Sequence, residues 1–194
     1  MSRNGIALLA QQMEEAYQMV WDRLQGITEE EYFWEPVPDC WTVFQGSDGR
    51  WTYHYELPEP EPHPFTTVAW RVTHLALCKI MYHEYAFGPA ELTWQTIETP
   101  SSVADALALL ERGQRLRVEV LASLAGDEDL DAPRRTNWGE LWPTWRIFWT
   151  LIHHDAHHGG EIGCIRDLYF HRQRGGRQGV EEGREFGGAA AQMV

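Results

Sequence analysis

The sequence predicts an all-α protein, a four-helix bundle with a small β-hairpin inserted between the first and second long helices. Two observations support this fold class. Four segments repeat apolar residues at intervals of three and four, which is typical of helices that bury one face. Between the first two segments, residues 41–55 alternate as strands do around a Gly-Ser-Asp-Gly turn, which predicts a hairpin.

The predicted helices are bounded by residues that commonly begin and end helices. Ser102 is a typical N-cap residue with Asp105 three positions on, and Thr28 with Glu31 predicts a further short helical turn by the same pattern. Glycine and proline residues mark the ends of the segments. The long helices are predicted over residues 5–25, 65–87, 102–126 and 143–169.

The length of 194 residues suits a single domain with a sizeable core. We assign residues 1–171 to the helical-bundle domain. Residues 172–194 are rich in Gly and Arg with little apolar content, which predicts a disordered C-terminal tail. The three cysteines form no CxxC motif and no even disulfide framework, so a reduced, cytoplasmic protein is expected.

The charge and hydropathy of the chain exclude several classes of partner. A net charge of −13 argues against nucleic-acid binding, which needs a basic surface. No segment is long and apolar enough to span a bilayer. Glu14 and Glu15 interrupt the apolar stretch near the start of the chain, so we do not expect a signal peptide there. We therefore expect a small-molecule substrate, with neither nucleic acid nor membrane as a partner.

Four of the nine histidines lie within residues 153–158 of the fourth predicted helix. His154 and His158 are one turn apart, as are His153 and His157, and imidazoles at this spacing form a bidentate metal ligand. The apolar positions favour the first pair, because the second lies in a mostly polar register. The inward-facing series contains Ile147, Leu151, His154, His158, Glu161, Ile165 and Leu168. Glu161 is expected to orient a ligand or to act as a general base.

A third ligand is expected on the second long helix. His74 and His83 are nine residues apart and therefore lie on opposite faces of it. His74 shares an apolar seam, whereas the proximity of His83 to Lys79 favours an exposed or interface position for His83. The sequence thus predicts a metal site formed by His74, His154 and His158, with coordination positions left open for water or substrate.

Other residues lie close to this predicted site. Arg71 is one turn before His74 and is positioned to bind an anionic substrate or Glu161. His157 is predicted to lie at the pocket rim and to bind substrate. Cys78, one turn after His74, could be near the metal, but a buried cysteine is more often a packing residue.

Two segments of the chain resemble motifs of the DinB-like family, the DinB/YfiT-like metalloenzymes. Trp70-Arg-Val-Thr-His74-Leu is similar to the helix-two motif, and His154-Asp-Ala-His-His158-Gly-Gly160-Glu161 to the helix-four motif. Trp34-Glu-Pro-Val-Pro and Cys40-Trp41 also resemble the family's first-loop segment, so the resemblance covers residues 5–170. The chain departs from the family at Gly159, where Arg is common, and at Glu161, where Gln is common.

The resemblance implies a four-helix bundle, usually dimeric, with a divalent metal held by three histidines. Some relatives are thiol-dependent transferases or isomerases that use mycothiol or bacillithiol. We therefore expect a homodimeric enzyme with Zn²⁺, Ni²⁺ or Fe²⁺ and a low-molecular-weight thiol as cosubstrate. A metal-dependent hydrolase, a non-catalytic metal- or small-ligand-binding dimer, and a structural dimer with vestigial histidines remain as alternatives.

Four tryptophans lie just before and within the fourth predicted helix. Their spacing of four, three and four residues would make one aromatic stripe if the helix extended back past Pro143. Core packing and a subunit interface are both compatible with such a stripe. The residues are Trp138, Trp142, Trp145 and Trp149.

Overall fold

The computed structural model describes residues 4–188, with side chains for residues 4–174. The described chain is mostly helical with two small antiparallel strand pairs, in agreement with the predicted mostly helical class. The helices are α1 (Gly5–Leu24), α2 (Glu29–Tyr32), α3 (Val68–Ala86), α4 (Val103–Ser123) and α5 (Thr144–Gly188), with a 3₁₀ turn at Asp127–Asp131. The strands are β1 (Val43–Gln45), β2 (Trp51–Tyr53), β3 (Pro133–Arg135) and β4 (Leu141–Pro143).

Polar side chains begin the helices where the sequence predicts N-caps. The Ser102 hydroxyl accepts a hydrogen bond from the Asp105 amide at 3.1 Å, and the Thr28 hydroxyl accepts one from the Glu31 amide at 3.2 Å. The Glu31 carboxylate, however, does not close a capping box. It accepts hydrogen bonds from the Arg166 guanidinium, at 2.6 Å from Nε, and so ties α2 to α5.

Helix α3 lies at the centre of the described fold. It packs against α4 on one side and α5 on the other, while α1 packs along α5. Because α3 has neighbours on several sides, most of its residues are buried, and they include Val68, Val72, Leu75 and Ala76 of the main apolar cluster. The residues that α3 and α5 present to each other are therefore held in a packed interior.

The first strand pair lies within the predicted hairpin segment 41–55. Val43 pairs with Tyr53 and Gln45 with Trp51, so the strands are shorter than predicted. The second pair, β3–β4, is absent from the sequence prediction and turns at Gly139, whose φ of +94° favours glycine. Prolines at residues 133 and 143 and a central Trp-Gly pair hide the strand alternation there.

Helix α5 differs from the predicted fourth helix at its far end. It begins at Thr144, so Pro143 ends a strand and the four tryptophans are divided between the β3–β4 hairpin and the first turns of α5. It continues past the predicted end at Tyr169 to Gly188 and so enters the segment 172–194 for which the sequence predicts disorder. Residues 189–194 of that segment lie outside the described residues.

Candidate metal site

Three imidazole rings from two helices converge between α3 and α5. His74 projects from α3, and His154 and His158 project from α5 one turn apart. The ring centroids of His74 and His158 are 5.1 Å apart, and the other two separations, His74 to His154 and His154 to His158, are both 5.6 Å. The three residues predicted to be ligands are therefore neighbours in the structure.

These separations match the spacing that one metal ion requires. With a metal–nitrogen distance of about 2.0–2.1 Å, an imidazole centroid lies about 3.2 Å from the ion, and tetrahedral ligands then have centroids about 5.2 Å apart. The observed values of 5.1–5.6 Å fall at or slightly above this spacing. The spacing of the rings is therefore compatible with one shared ion.

Glu161 contacts the His158 ring at its Nδ1 atom. Its Oε2 lies 2.6 Å from His158 Nδ1 and 3.1 Å from Arg71 Nη1. Arg71 Nη1 also lies 3.2 Å from His158 Nδ1, but the contact with Glu161 is shorter. Because a carboxylate only accepts hydrogen bonds, we assign the proton to Nδ1, which leaves the lone pair of Nε2 free. A carboxylate–histidine pair of this kind fixes the tautomer and raises the basicity of a metal-binding imidazole. Glu161 is thus placed where it could orient a metal-binding His158.

His154 and His74 have a different environment. His154 Nδ1 is buried without a hydrogen-bond partner among the described residues, although buried polar atoms are normally paired. The His74 ring stacks on Trp70, with centroids 4.8 Å apart and planes 9° from parallel. An unpaired imidazole nitrogen beside two further rings fits the coordination of an ion, and this donor set suits Zn²⁺, Ni²⁺ or Fe²⁺.

Burial keeps these imidazoles neutral. Desolvation, followed by repulsion from neighbouring histidines, holds the pKa of His74 well below its ordinary value and lowers the pKa of His154 to about 4. Desolvation also lowers the pKa of His158. Because metal ions bind neutral imidazole, the rings are ready for coordination at neutral pH without losing a proton.

Among the described residues, the donor atoms that already lie within 4.8 Å of one another form two groups. One group is His74, Cys78 and His154, and the other is His157, His158 and Glu161. The three predicted histidines do not form one such group, since His158 is grouped with its hydrogen-bond partner Glu161. The first group brings Cys78 to the predicted ligands.

The site borders a cavity of about 1100 Å³. Arg71, His157 and Glu161 line it together with the three central histidines, so both predicted substrate-binding residues face the same space. His157 is exposed, and its Nε2 lies 3.4 Å from Glu161 Oε1. Aromatic side chains make up much of the remaining wall and include Trp41, Tyr55, Trp70, Trp94 and Trp138.

The sequence does not predict the buried ion cluster that lies next to the site. Asp155 is completely buried, and its Oδ2 lies 2.6 Å from Lys79 Nζ and 2.9 Å from Arg117 Nη2. The expectation that Lys79 marks an exposed face is wrong, because Asp155 supplies a counter-charge inside the core. His83 is accordingly half-buried and not exposed.

The fold and site define a class: a helical protein with a histidine-lined cavity suited to a divalent metal. The family model described as the DinB superfamily matches residues 12–162, and the chain belongs to that superfamily. Proteins of this superfamily generally bind metal ions, and the two donor groups are consistent with that property. Along the described helices, no stretch is both long and apolar enough to cross a membrane.

One solved structure shows the same fold. It is the crystal structure of a conserved protein from Enterococcus faecalis, with 14% sequence identity and a TM-score of 0.50. The alignment covers 86% of this chain and 98% of that one. A comparison with curated proteins gives no significant match.

Proposed function

We propose that this protein is a divalent-metal-dependent enzyme that transfers a low-molecular-weight thiol, of the mycothiol or bacillithiol class, to a small electrophilic substrate. His74, His154 and His158 hold Zn²⁺, Ni²⁺ or Fe²⁺. The convergence of their three rings on the wall of a large cavity carries this proposal. The cavity of about 1100 Å³ exceeds what a single drug-sized ligand fills and has room for a thiol and an electrophile together.

The ion and the protein side chains have separate parts in the proposed thiol transfer. A bound divalent ion lowers the pKa of a thiol and so favours the thiolate at neutral pH. Arg71 places a positive charge at the cavity wall, where it can bind a carboxylate of the cosubstrate. In the transfer, the thiol proton passes to solvent, a sulfur–carbon bond forms at the electrophile, and the bond to its leaving group breaks as that group departs.

The charge state of Glu161 suits it to hold its neighbours in place. Burial opposes ionisation, but the hydrogen bond from His158 and the positive charge of Arg71 outweigh it, so the pKa of Glu161 lies below its ordinary value. The carboxylate is therefore ionised at neutral pH and can position both His158 and Arg71 at the cavity wall. The same lowered pKa makes it a weak base at neutral pH.

The first experiment is elemental analysis of protein purified without a nickel column, because nickel resin would load the site. We expect close to one divalent ion per chain. His154→Ala removes an inward ring and should abolish binding, whereas His153→Ala, on the adjacent exposed position, should retain the ion. Loss of the ion in His153→Ala but not in His154→Ala would contradict the ligand assignment.

The second experiment is a screen of the metal-loaded protein against pairs of small thiols and electrophiles, with ester and amide substrates in parallel. Thiol-dependent product formation that disappears in His154→Ala supports the proposal. Hydrolysis without thiol would replace it with a metal-dependent hydrolase in which Glu161 is the general base. Metal binding without turnover in either the thiol-transfer or the hydrolysis assay would indicate a non-catalytic binding protein.

We propose further that the protein is a cytoplasmic homodimer. Trp138, Trp145 and Trp149 are between 42% and 53% exposed, which is unusual for tryptophan and favours a subunit contact on this side. Size-exclusion chromatography of Trp145→Ala tests the contact. A dimeric wild-type protein whose Trp145→Ala variant is monomeric supports it, and an unchanged elution volume contradicts it.

A further inference from the structure

Cys78 occupies a position that a fourth metal ligand would occupy. It follows His74 by four residues on α3, just as His158 follows His154 by four on α5. Residues at this spacing lie on one face of a helix, so two donor pairs face each other across the α3–α5 contact. Two such pairs provide the four ligands of a tetrahedral centre.

The distances support coordination by the sulfur atom. Cys78 Sγ lies 3.7 Å from His74 Nε2, and Cys78, His74 and His154 offer donor atoms that are all within 4.8 Å of one another. Metal–sulfur and metal–nitrogen distances of about 2.3 and 2.0–2.1 Å place these atoms about 3.6 Å apart in a tetrahedron. The observed pair is therefore already close to the required separation.

The polar contacts of the Cys78 thiol also support coordination. Within the part of the chain whose side chains are described, the Cys78 sulfur has polar contacts only with the two ring nitrogens of His74. Cys40, by contrast, donates to the Val37 carbonyl at 3.0 Å, as a packed thiol commonly does. Cys78 also borders the cavity, so an ion that reaches the histidines reaches this sulfur.

We propose that Cys78 is the fourth protein ligand of the metal centre, as a thiolate beside His74, His154 and His158. The inference rests on the proposed metal site. The metal–sulfur bond forms as the thiol releases its proton to solvent. With these four residues as ligands the resting site would be closed by protein donors, and a substrate thiol would have to replace Cys78 or add as a fifth ligand.

Cobalt(II) provides a direct test, because thiolate coordination produces a near-ultraviolet charge-transfer band and tetrahedral coordination produces visible d–d bands. The metal-free protein is titrated with Co²⁺ under anaerobic conditions with a phosphine reductant, so that no external thiol is present. We expect both features in the wild-type protein. Cys78→Ser should lose the near-ultraviolet band and keep the visible bands.

Matched variants separate the outcomes. Cys40→Ser and Cys164→Ser should retain the near-ultraviolet band, and its persistence in Cys78→Ser would overturn the proposal by assigning the sulfur elsewhere. Visible bands without a charge-transfer band in the wild-type protein would reduce Cys78 to a packing residue and leave the three-histidine site intact. Absence of both features would contradict the metal site itself.

Discussion

Replacing Asp155 by Asn should destabilise the protein strongly. The carboxylate is 0% exposed and pairs with Lys79 and Arg117, whose side chains are 1% and 2% exposed. Asparagine keeps the shape but removes the one carboxylate that, among the side chains the structure describes, is paired with these two cations. Lys79 can lose its proton, but Arg117 cannot, so a buried guanidinium is left without a counter-charge. Breaking a buried pair in this way costs about 3–5 kcal/mol.

Thermal and urea unfolding of the metal-free protein measure this cost. For a chain of this length, each kcal/mol lowers the melting temperature by about 2–4 °C, so Asp155→Asn should lower it by about 6–20 °C. Glu111→Gln is the control, because the Glu111–Arg115 pair is more than half exposed and is worth about 0.3–0.5 kcal/mol. An Asp155→Asn variant within about 1 kcal/mol of the wild type would refute the electrostatic account of this cluster, since removing one partner should cost at least about 3 kcal/mol.

Three further predictions concern charge, packing and the ligand shell. Burial, with the neighbouring Arg117 cation, lowers the pKa of Lys79 from 10.5 to about 7, so the unfolded chain binds more protons between these pH values. The free energy of unfolding should therefore rise between pH 7 and about 9, above which the raised pKa of the buried Cys78 thiol opposes the rise. Lys79→Met should lack the rise. Gly113→Ala puts a Cβ 2.7 Å from the Lys79 Cβ, so it should lower the free energy of unfolding, measured in urea, by about 1–3 kcal/mol. Gly160→Ala is the control: its Cβ would have open space around it, so it should raise the free energy of unfolding by about 1 kcal/mol. Glu161→Ala should weaken zinc binding about 10- to 100-fold in a chelator competition, while Glu161→Gln keeps an acceptor and should retain most of the affinity.

The sequence predicts the helices well where one face is buried and the other is not. Helix α4 begins after Ser102 as expected, because its cap and apolar stripe agree. The β3–β4 hairpin could not be predicted, since its three-residue strands are specified by pairing with each other and by the turn at Gly139. The end of α5 at Gly188 differs from the predicted end at Tyr169, because the glycine-rich composition that follows Tyr169 gives no helical pattern.

The arrangement of the candidate site follows from the register of α5. His153 and His157 are exposed and His154 and His158 face inward, as the apolar series indicates. Periodicity assigns a face to each position, but it does not reveal which polar residues find a buried partner on another helix. Asp155 was therefore missed, since its burial depends on Lys79 of α3 and Arg117 of α4 and on no feature of its own segment.

The ion cluster and the metal-site residues occupy adjacent positions on the same two helices. Asp155 follows His154 on α5, and Lys79 follows Cys78 on α3, so the bond between Asp155 and Lys79 holds the two helices together one residue from the donor atoms. A rotation of either helix by one residue, about 100°, would separate these charges within the core. A buried ion pair adds little net stability compared with apolar packing, but it penalises other registers strongly. The cluster thus fixes which faces of α3 and α5 meet, and so holds the segment with His74 and Cys78 beside the segment with His154 and His158.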